Sequence, residues 1–154
     1  KLAAGNTGPA TREMPIKLKY ALDDIRRWSA KYEIPFTLPG GGPLDSLLLN
    51  KGAIYADKNS CAERYIKKVW GYTFGKGLPM NNDLLKTVAR DLDLNIIDMI
   101  SFVGSDQADA IYQKSTNLAS DLGVFGVPTM RVDNIIWWGN DRLHMLEEYL
   151  SNFG

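Results

Sequence analysis

From Met14 onward the apolar residues recur at helical spacing. Leu18, Leu22, Ile25, Trp28 and Tyr32 stand three and four apart and define one face of a long helix. Pro15 suits the first turn of that helix, where its missing N–H costs nothing, and Pro35 ends it. The following "FTLPGGGP" predicts a loop, because three glycines and two prolines sustain neither a helix nor a strand. Asp45 offers a cap for a helix running to about Lys58. Ser60 with Glu63 forms a capping-box pattern for the next helix, which the glycines from Gly71 to Gly77 close. Asn81, Asn95 and Ser105 each stand as N-caps before further helical runs. After Gly126 the pattern changes: "VPTMRV" and "IIWW" predict two short strands around an Asp133–Asn134 turn. Leu143, Leu146 and Leu150 then line one face of a closing helix from about Asp141.

Helices first, then strand, turn, strand and helix, make an incomplete inventory for a domain, since two strands alone are marginal. The pattern therefore predicts further strands before Lys1, and the chain begins without Met. A form limited to these 154 residues is expected to associate or to be poorly stable, because one edge of the hairpin and part of one apolar face lack cover.

Composition narrows the class. With 154 residues, 45% hydrophobic and 23% charged, the chain is an ordinary globular domain or one domain with an insertion. Eighteen basic residues balance eighteen acidic ones, so no global field favours nucleic acid or an anionic membrane. No apolar run reaches the roughly 20 residues of a membrane span, and "KLAAGNTGPA" lacks the features of a signal peptide, which together predict a cytoplasmic protein. Cys61 is the single cysteine and His144 the single histidine, which excludes an intrachain disulfide, a dithiol redox pair and a credible metal site. Cys61 reads as a buried structural thiol and His144 as a surface residue. Trp137 and Trp138 alternate along a strand, so one should face the core and the other a neighbour or a ligand edge.

Three segments carry candidate chemistry. Val127-Pro128-Thr129 reads either as a plain trans proline opening a strand or as a cis proline beside a backbone that grips an extended peptide. At Gly139-Asn140-Asp141-Arg142 a helix start offers free N–H groups to an anion while Asp141 offers the opposite charge, a pairing that suits an amino-acid end; simple capping by Asn140 and Asp141 is the other reading. Near the start, Lys1, Arg12, Lys17 and Lys19 are offset only by Glu13, an excess of three positive charges able to hold an aromatic acid, although Lys19 fits a solvated helix face.

Two stretches, "VFGVPTMRVDNIIWWGNDRLHMLEEYL" and "AAGNTGPATREMPIKLKYALDDIRRWSAKYEIPF", resemble the 2-hydroxychromene-2-carboxylate isomerases, relatives of the kappa-class glutathione transferases and of DsbA-like proteins. The resemblance implies an α/β, thioredoxin-like fold of the DsbA/kappa type with a large inserted helical domain. Residues 1–104 would be mainly that insertion with its entry loop, and 105–154 the C-terminal half of the thioredoxin-like domain: a helix, a hairpin after Pro128 and a closing helix. The family's opening strand, helix and strand, with the serine to which glutathione activation is assigned, would precede Lys1, so the resemblance places no catalytic residue within the chain. It implies glutathione contacts at Asn6, Lys17, Val127, Pro128, Asn140, Asp141, Arg142 and Leu143, and aromatic-acid contacts at Lys1, Thr11 and Arg12. The chain departs from the pattern in having Thr11-Arg12 where an isomerase is expected to show Asn-Arg, and "GGG" where an aromatic residue is expected. The expected activity is glutathione-dependent cis–trans isomerisation of an unsaturated aromatic carboxylate by a homo-oligomer without metal, nucleic-acid or membrane partners. The alternatives are kappa-type conjugation, which consumes glutathione, and a non-catalytic binding domain if the chain starts at Lys1. A dithiol redox role is disfavoured by the lone Cys61.

Overall fold

The computed structural model describes residues 13–40 and 46–152. These divide into two compact units, one running to Gln113 and the other beginning at Lys114.

In the first unit, α1 (Pro15–Lys31) has its proline in the first turn, as the sequence predicts. It ends in a left-handed residue, Glu33 (φ 55°). The N–H of Glu33 donates to Ala30 O at 3.3 Å and that of Ile34 to Ser29 O at 3.0 Å, which satisfies carbonyls the helix end leaves free. α1 buries none of its residues; Leu18 and Ile25 on its predicted apolar face remain 36% and 42% exposed.

Around the core lie α2 (Leu47–Lys58), α3 (Ala62–Trp70), α4 (Asn82–Asp91), α5 (Ile96–Val103) and the start of α6 (Asp106–Asp121). Asn81 and Asn95 cap α4 and α5 as predicted, each side-chain oxygen accepting two backbone N–H groups at 3.0–3.1 Å. Ser105 Oγ accepts from the Ala108 N–H at the start of α6. The predicted Asp45 cap lies outside the described residues. One expectation fails in the middle of the unit. Ser60 and Glu63 form no capping box: Cys61 is the N-cap of α3 and makes no side-chain cap, while Glu63 pairs with Lys67 at 2.7 Å. Ser60 belongs to the preceding helix, standing at φ 56° just past its end, with Ser60 N–H on Asp57 O and Cys61 N–H on Ala56 O, both at 2.9 Å. The stretch Gly71 to Gly77 closes α3 as predicted, but not abruptly. The helix widens there into a π-helical turn, Gly71–Gly75, whose buried Thr73 donates its hydroxyl to the Val69 carbonyl at 2.7 Å.

The core of this unit is formed by Leu49, Ala56, Tyr65, Val69, Leu84, Leu85, Val88, Met99 and Val103, with Tyr65, Leu85, Val88 and Met99 fully enclosed. Cys61 is buried at its edge. Tyr65 donates its buried hydroxyl to the Leu49 carbonyl at 3.0 Å, and burial pushes its phenol well above the usual range. Lys51, also largely enclosed, reaches Asp109 at 2.5 Å and so joins α2 to α6.

In the second unit, α6 ends at Asp121 and Gly123 turns the chain at φ 80°. β1 (Thr129–Val132) and β2 (Ile135–Trp138) pair antiparallel, with Thr129 opposite Trp138 and Val132 opposite Ile135. Asp133, at φ 53°, and Asn134 make the predicted turn, and Arg131 reaches across to the Asn134 side chain at 2.8 Å. The closing helix α7 (Leu143–Ser151) begins two residues later than predicted, because Asn140–Arg142 form a 3₁₀ turn.

Candidate functional site

The Val127–Pro128 peptide is cis, not trans. Val127 is 86% exposed, leaving its backbone and side chain open to solvent at the entrance to β1. Two glycines shape the surroundings. A Cβ on Gly126 would stand 2.6 Å from the indole Nε1 of Trp138, so the chain can pass this close to the ring only as glycine. Gly139, at φ 100° and ψ 149°, occupies backbone space that other residues rarely enter, and its N–H donates to the Pro128 carbonyl at 3.0 Å. The cis-proline loop and the 3₁₀ turn are thereby held side by side.

Within that turn neither Asn140 nor Asp141 caps α7: no side-chain cap is made at either helical start. The capping reading of these two residues fails. Asp141 Oδ2 instead pairs with Arg142 Nη1 at 2.7 Å, both side chains about half exposed. An anion and a cation are thus presented together beside the Pro128 loop, able to exchange their mutual contact for an ammonium and a carboxylate of one ligand. Leu143 opens α7 and is 51% exposed.

Behind the turn, both tryptophans are spoken for. Trp137 packs on Tyr149 with ring centroids 5.0 Å apart, and Trp138 packs on Phe125 at 5.1 Å. Trp138 remains 53% exposed and Trp137 is half-buried, in keeping with their alternation. Tyr149 donates to Asp133 at 3.3 Å; burial first, and then the Asp133 charge, hold its phenol above the ordinary value. His144 is exposed.

Val127, Pro128, Asn140, Asp141, Arg142 and Leu143 are therefore gathered in the second unit. Lys17 stands exposed in α1 of the first unit. Lys1, Asn6, Thr11 and Arg12 lie outside the described residues. Lys19 takes the solvated role expected of it, 82% exposed and paired with Asp23 at 2.9 Å. Gly126 has no role in the sequence reading, and Gly139 enters it only as the start of the Gly139–Arg142 segment. Their signal was local, a glycine immediately before a Val-Pro step and another immediately after paired tryptophans.

The DSBA-like thioredoxin domain family matches the chain over residues 1–151. A 2-hydroxychromene-2-carboxylate isomerase of Sphingobium xenophagum is 39% identical over 151 residues, covering 97% of this chain and 76% of that protein. One of Pseudomonas putida is 36% identical over 152 residues, covering 98% of this chain and 74% of the relative. The chain belongs to the 2-hydroxychromene-2-carboxylate isomerase family of DSBA-like thioredoxin domains. A solved structure of a 2-hydroxychromene-2-carboxylate isomerase, 34% identical, agrees with a TM-score of 0.90 over 99% of this chain and 75% of that one. The fold is accordingly the DsbA-like thioredoxin type. Among the described residues of this family member, no helix is long and apolar enough to cross a membrane, and no three His, Cys, Asp or Glu side chains cluster to hold a metal.

Proposed function

We propose that this family member, acting with the serine-bearing segment that the resemblance places before Lys1, isomerises 2-hydroxychromene-2-carboxylate or a related unsaturated aromatic acid in aromatic degradation, using glutathione and releasing it unconsumed. Identity of 36–39% along nearly the whole chain to proteins named as such isomerases carries the reading. The donor set supports the cofactor: a carboxylate and a guanidinium side by side in a 3₁₀ turn match an amino-acid end, and an exposed backbone before Pro128 matches a peptide. When bound, glutathione supplies a nucleophilic thiolate. The protein groups orient it. Val127 and Pro128 align its cysteinyl backbone, and Asn140, Asp141, Arg142 and Leu143 receive the γ-glutamyl end. We place this activity in the cytoplasm and in a homo-oligomer, for which the exposed Met145 and Leu150 of α7 provide apolar surface.

The test is an isomerisation assay on the full-length protein with and without glutathione, in which total thiol is titrated at the end. The expected result is cis–trans interconversion that needs glutathione and leaves the thiol count unchanged. Stoichiometric thiol loss would assign kappa-type conjugation instead, and no conversion of either kind would leave a binding domain.

A further inference from the structure

The first unit carries a groove that the proposed isomerisation does not use. Its volume is about 570 Å³, within the range of roughly 300–1,000 Å³ that small-molecule sites occupy. One wall is the C-terminal half of α1 and the chain after it, through Trp28, Tyr32 and Phe36; the other is the end of α3 and the π-helical turn, through Trp70 and Phe74. The rings form two near-parallel pairs: Trp28 with Tyr32 at 5.7 Å and 15°, and Phe36 with Phe74 at 6.3 Å and 10°. Trp70 is left 64% exposed. The stacked pairs hold the walls in place, and the exposed indole of Trp70 complements a flat ring by offset stacking.

The π-helical turn is what opens the space. A Cβ added to Gly71 would meet nothing within 4 Å, so the groove floor is bare there. Such widened turns recur at functional sites. The charge lining the groove has one sign. Lys67 and Lys76 line it, and among the described residues no carboxylate does. Lys31 already covers the Trp28 ring at 4.8 Å and Lys76 the Tyr72 ring at 4.7 Å, which repels a cationic ligand from those faces. Lys67 is engaged only with Glu63, in a pair whose side chains are 74% and 81% exposed, and such pairs are readily exchanged.

We propose that this groove is a binding site for a planar aromatic carboxylate, its ring against the exposed Trp70 and its carboxylate on Lys67 and Lys76. The site shares no residue with the Val127–Leu143 segment, so its ligand binding can fail while the isomerase reading stands, and the reverse.

The experiment uses 2-naphthoate and its neutral counterpart 2-naphthamide on the full chain, followed by calorimetry and by the indole N–H resonances of the four tryptophans. Saturable shifts at Trp28 and Trp70, and naphthoate binding several-fold tighter than naphthamide, are expected. Gly71 has helical angles, φ −60° and ψ −38°, so Gly71→Leu fills the groove without backbone strain. That variant should melt as the parent does and lose at least tenfold in naphthoate affinity. Lys67→Met with Lys76→Met should abolish the preference for naphthoate over naphthamide. Shifts confined to Trp137 and Trp138, unchanged affinity in Gly71→Leu, absence of binding, or sedimentation showing that a second copy already covers Trp28 and Trp70 would each overturn the proposal.

Discussion

Gly139 donates its backbone N–H to the carbonyl of Pro128 at 3.0 Å, and it does so from a conformation, φ 100° and ψ 149°, that only glycine adopts without strain. One hydrogen bond thus ties the loop before β1 to the turn after β2, across the register pair Thr129–Trp138. Gly139→Ala should destabilise the chain by about 1–3 kcal/mol, the usual cost of forcing a side chain into such a region, with the added Cβ also meeting the Asp141 carboxylate. Gly71→Ala is the control: its helical angles and open surroundings predict no loss, and a slight gain from the restricted unfolded chain. Urea denaturation of the two variants, with equal m-values, checks the contrast.

Helix ends give a second test. The ends of α1, α2, α4 and α6 all turn through a left-handed residue whose neighbours bond back to the last turn: Glu33, Ser60, Asp93 and Gly123. Only the last is glycine. Ser60→Gly should raise stability by about 0.5–1 kcal/mol, since the residue avoids the Cβ penalty of that conformation. Gly123→Ala should cost about as much. If Ser60 were the N-cap of α3, the same Ser60→Gly change and a Glu63→Ala change would both weaken the protein. Thermal melts of these three variants separate the two accounts.

Ser60 also shows where the sequence was readable and where it was not. Hydrophobic spacing located α1 and α7, because apolar residues recurring on one face leave a periodic trace, and the apolar runs located both strands. Asn81 and Asn95 were legible because a cap acts within three residues. Ser60 matched a capping box equally well in sequence, but the end of α2 lies one residue away and claimed it first. At Gly71–Gly75 the glycines indicated a break, whereas the chain keeps helical hydrogen bonding in a wider turn because Thr73 supplies an acceptor's partner from its side chain. In the candidate site, Pro128 was legible as a cis candidate through the resemblance of its segment to a thioredoxin-like fold, since the tripeptide alone fits a trans proline equally. The pairing of Asp141 with Arg142 was not, since adjacent residues in a helix point apart.

Tyr65 and Gly52 form a close pair inside the helical core. A Cβ on Gly52 would collide with the Tyr65 hydroxyl and stand 2.8 Å from Leu85 Cδ1. Gly52→Ala should therefore be among the most damaging single changes, and adding Tyr65→Phe should recover part of the loss, a less-than-additive cycle. Tyr65→Phe alone leaves the Leu49 carbonyl without its donor and should cost about 1–2 kcal/mol.

The same tyrosine sets an alkaline limit. Burial raises its phenol in the folded state above the ordinary value of about 10. The unfolded chain then releases the proton at a lower pH than the folded one, so stability falls as pH rises beyond the unfolded value. The contribution is fully present below about pH 10 and declines above it. Chemical denaturation between neutral pH and pH 11 should show that decline in the parent, and a shallower one in Tyr65→Phe.

The last prediction concerns how glutathione is held, and rests on the exchange of one ion pair for two. In the free protein Asp141 and Arg142 satisfy each other at 2.7 Å, but both are about half exposed, where such a pair is worth little. A γ-glutamyl end brings an ammonium for Asp141 and a carboxylate for Arg142. Asp141→Asn keeps the size of the side chain and removes its charge, so it should weaken glutathione binding by about 1–3 kcal/mol, as for a charge-assisted hydrogen bond. The melting temperature should barely move, because the side chain is not part of a core. Stability alone cannot distinguish a ligand contact from a bystander, so the decisive measurement adds a ligand change: a glutathione analogue whose γ-glutamyl group is replaced by glutaryl, which lacks the ammonium. Calorimetry should show that the parent binds this analogue as weakly as Asp141→Asn binds glutathione, and that the variant and parent bind the analogue equally. If Asp141→Asn weakens both ligands by the same factor, the carboxylate does not receive the ammonium and acts only through the position of Arg142.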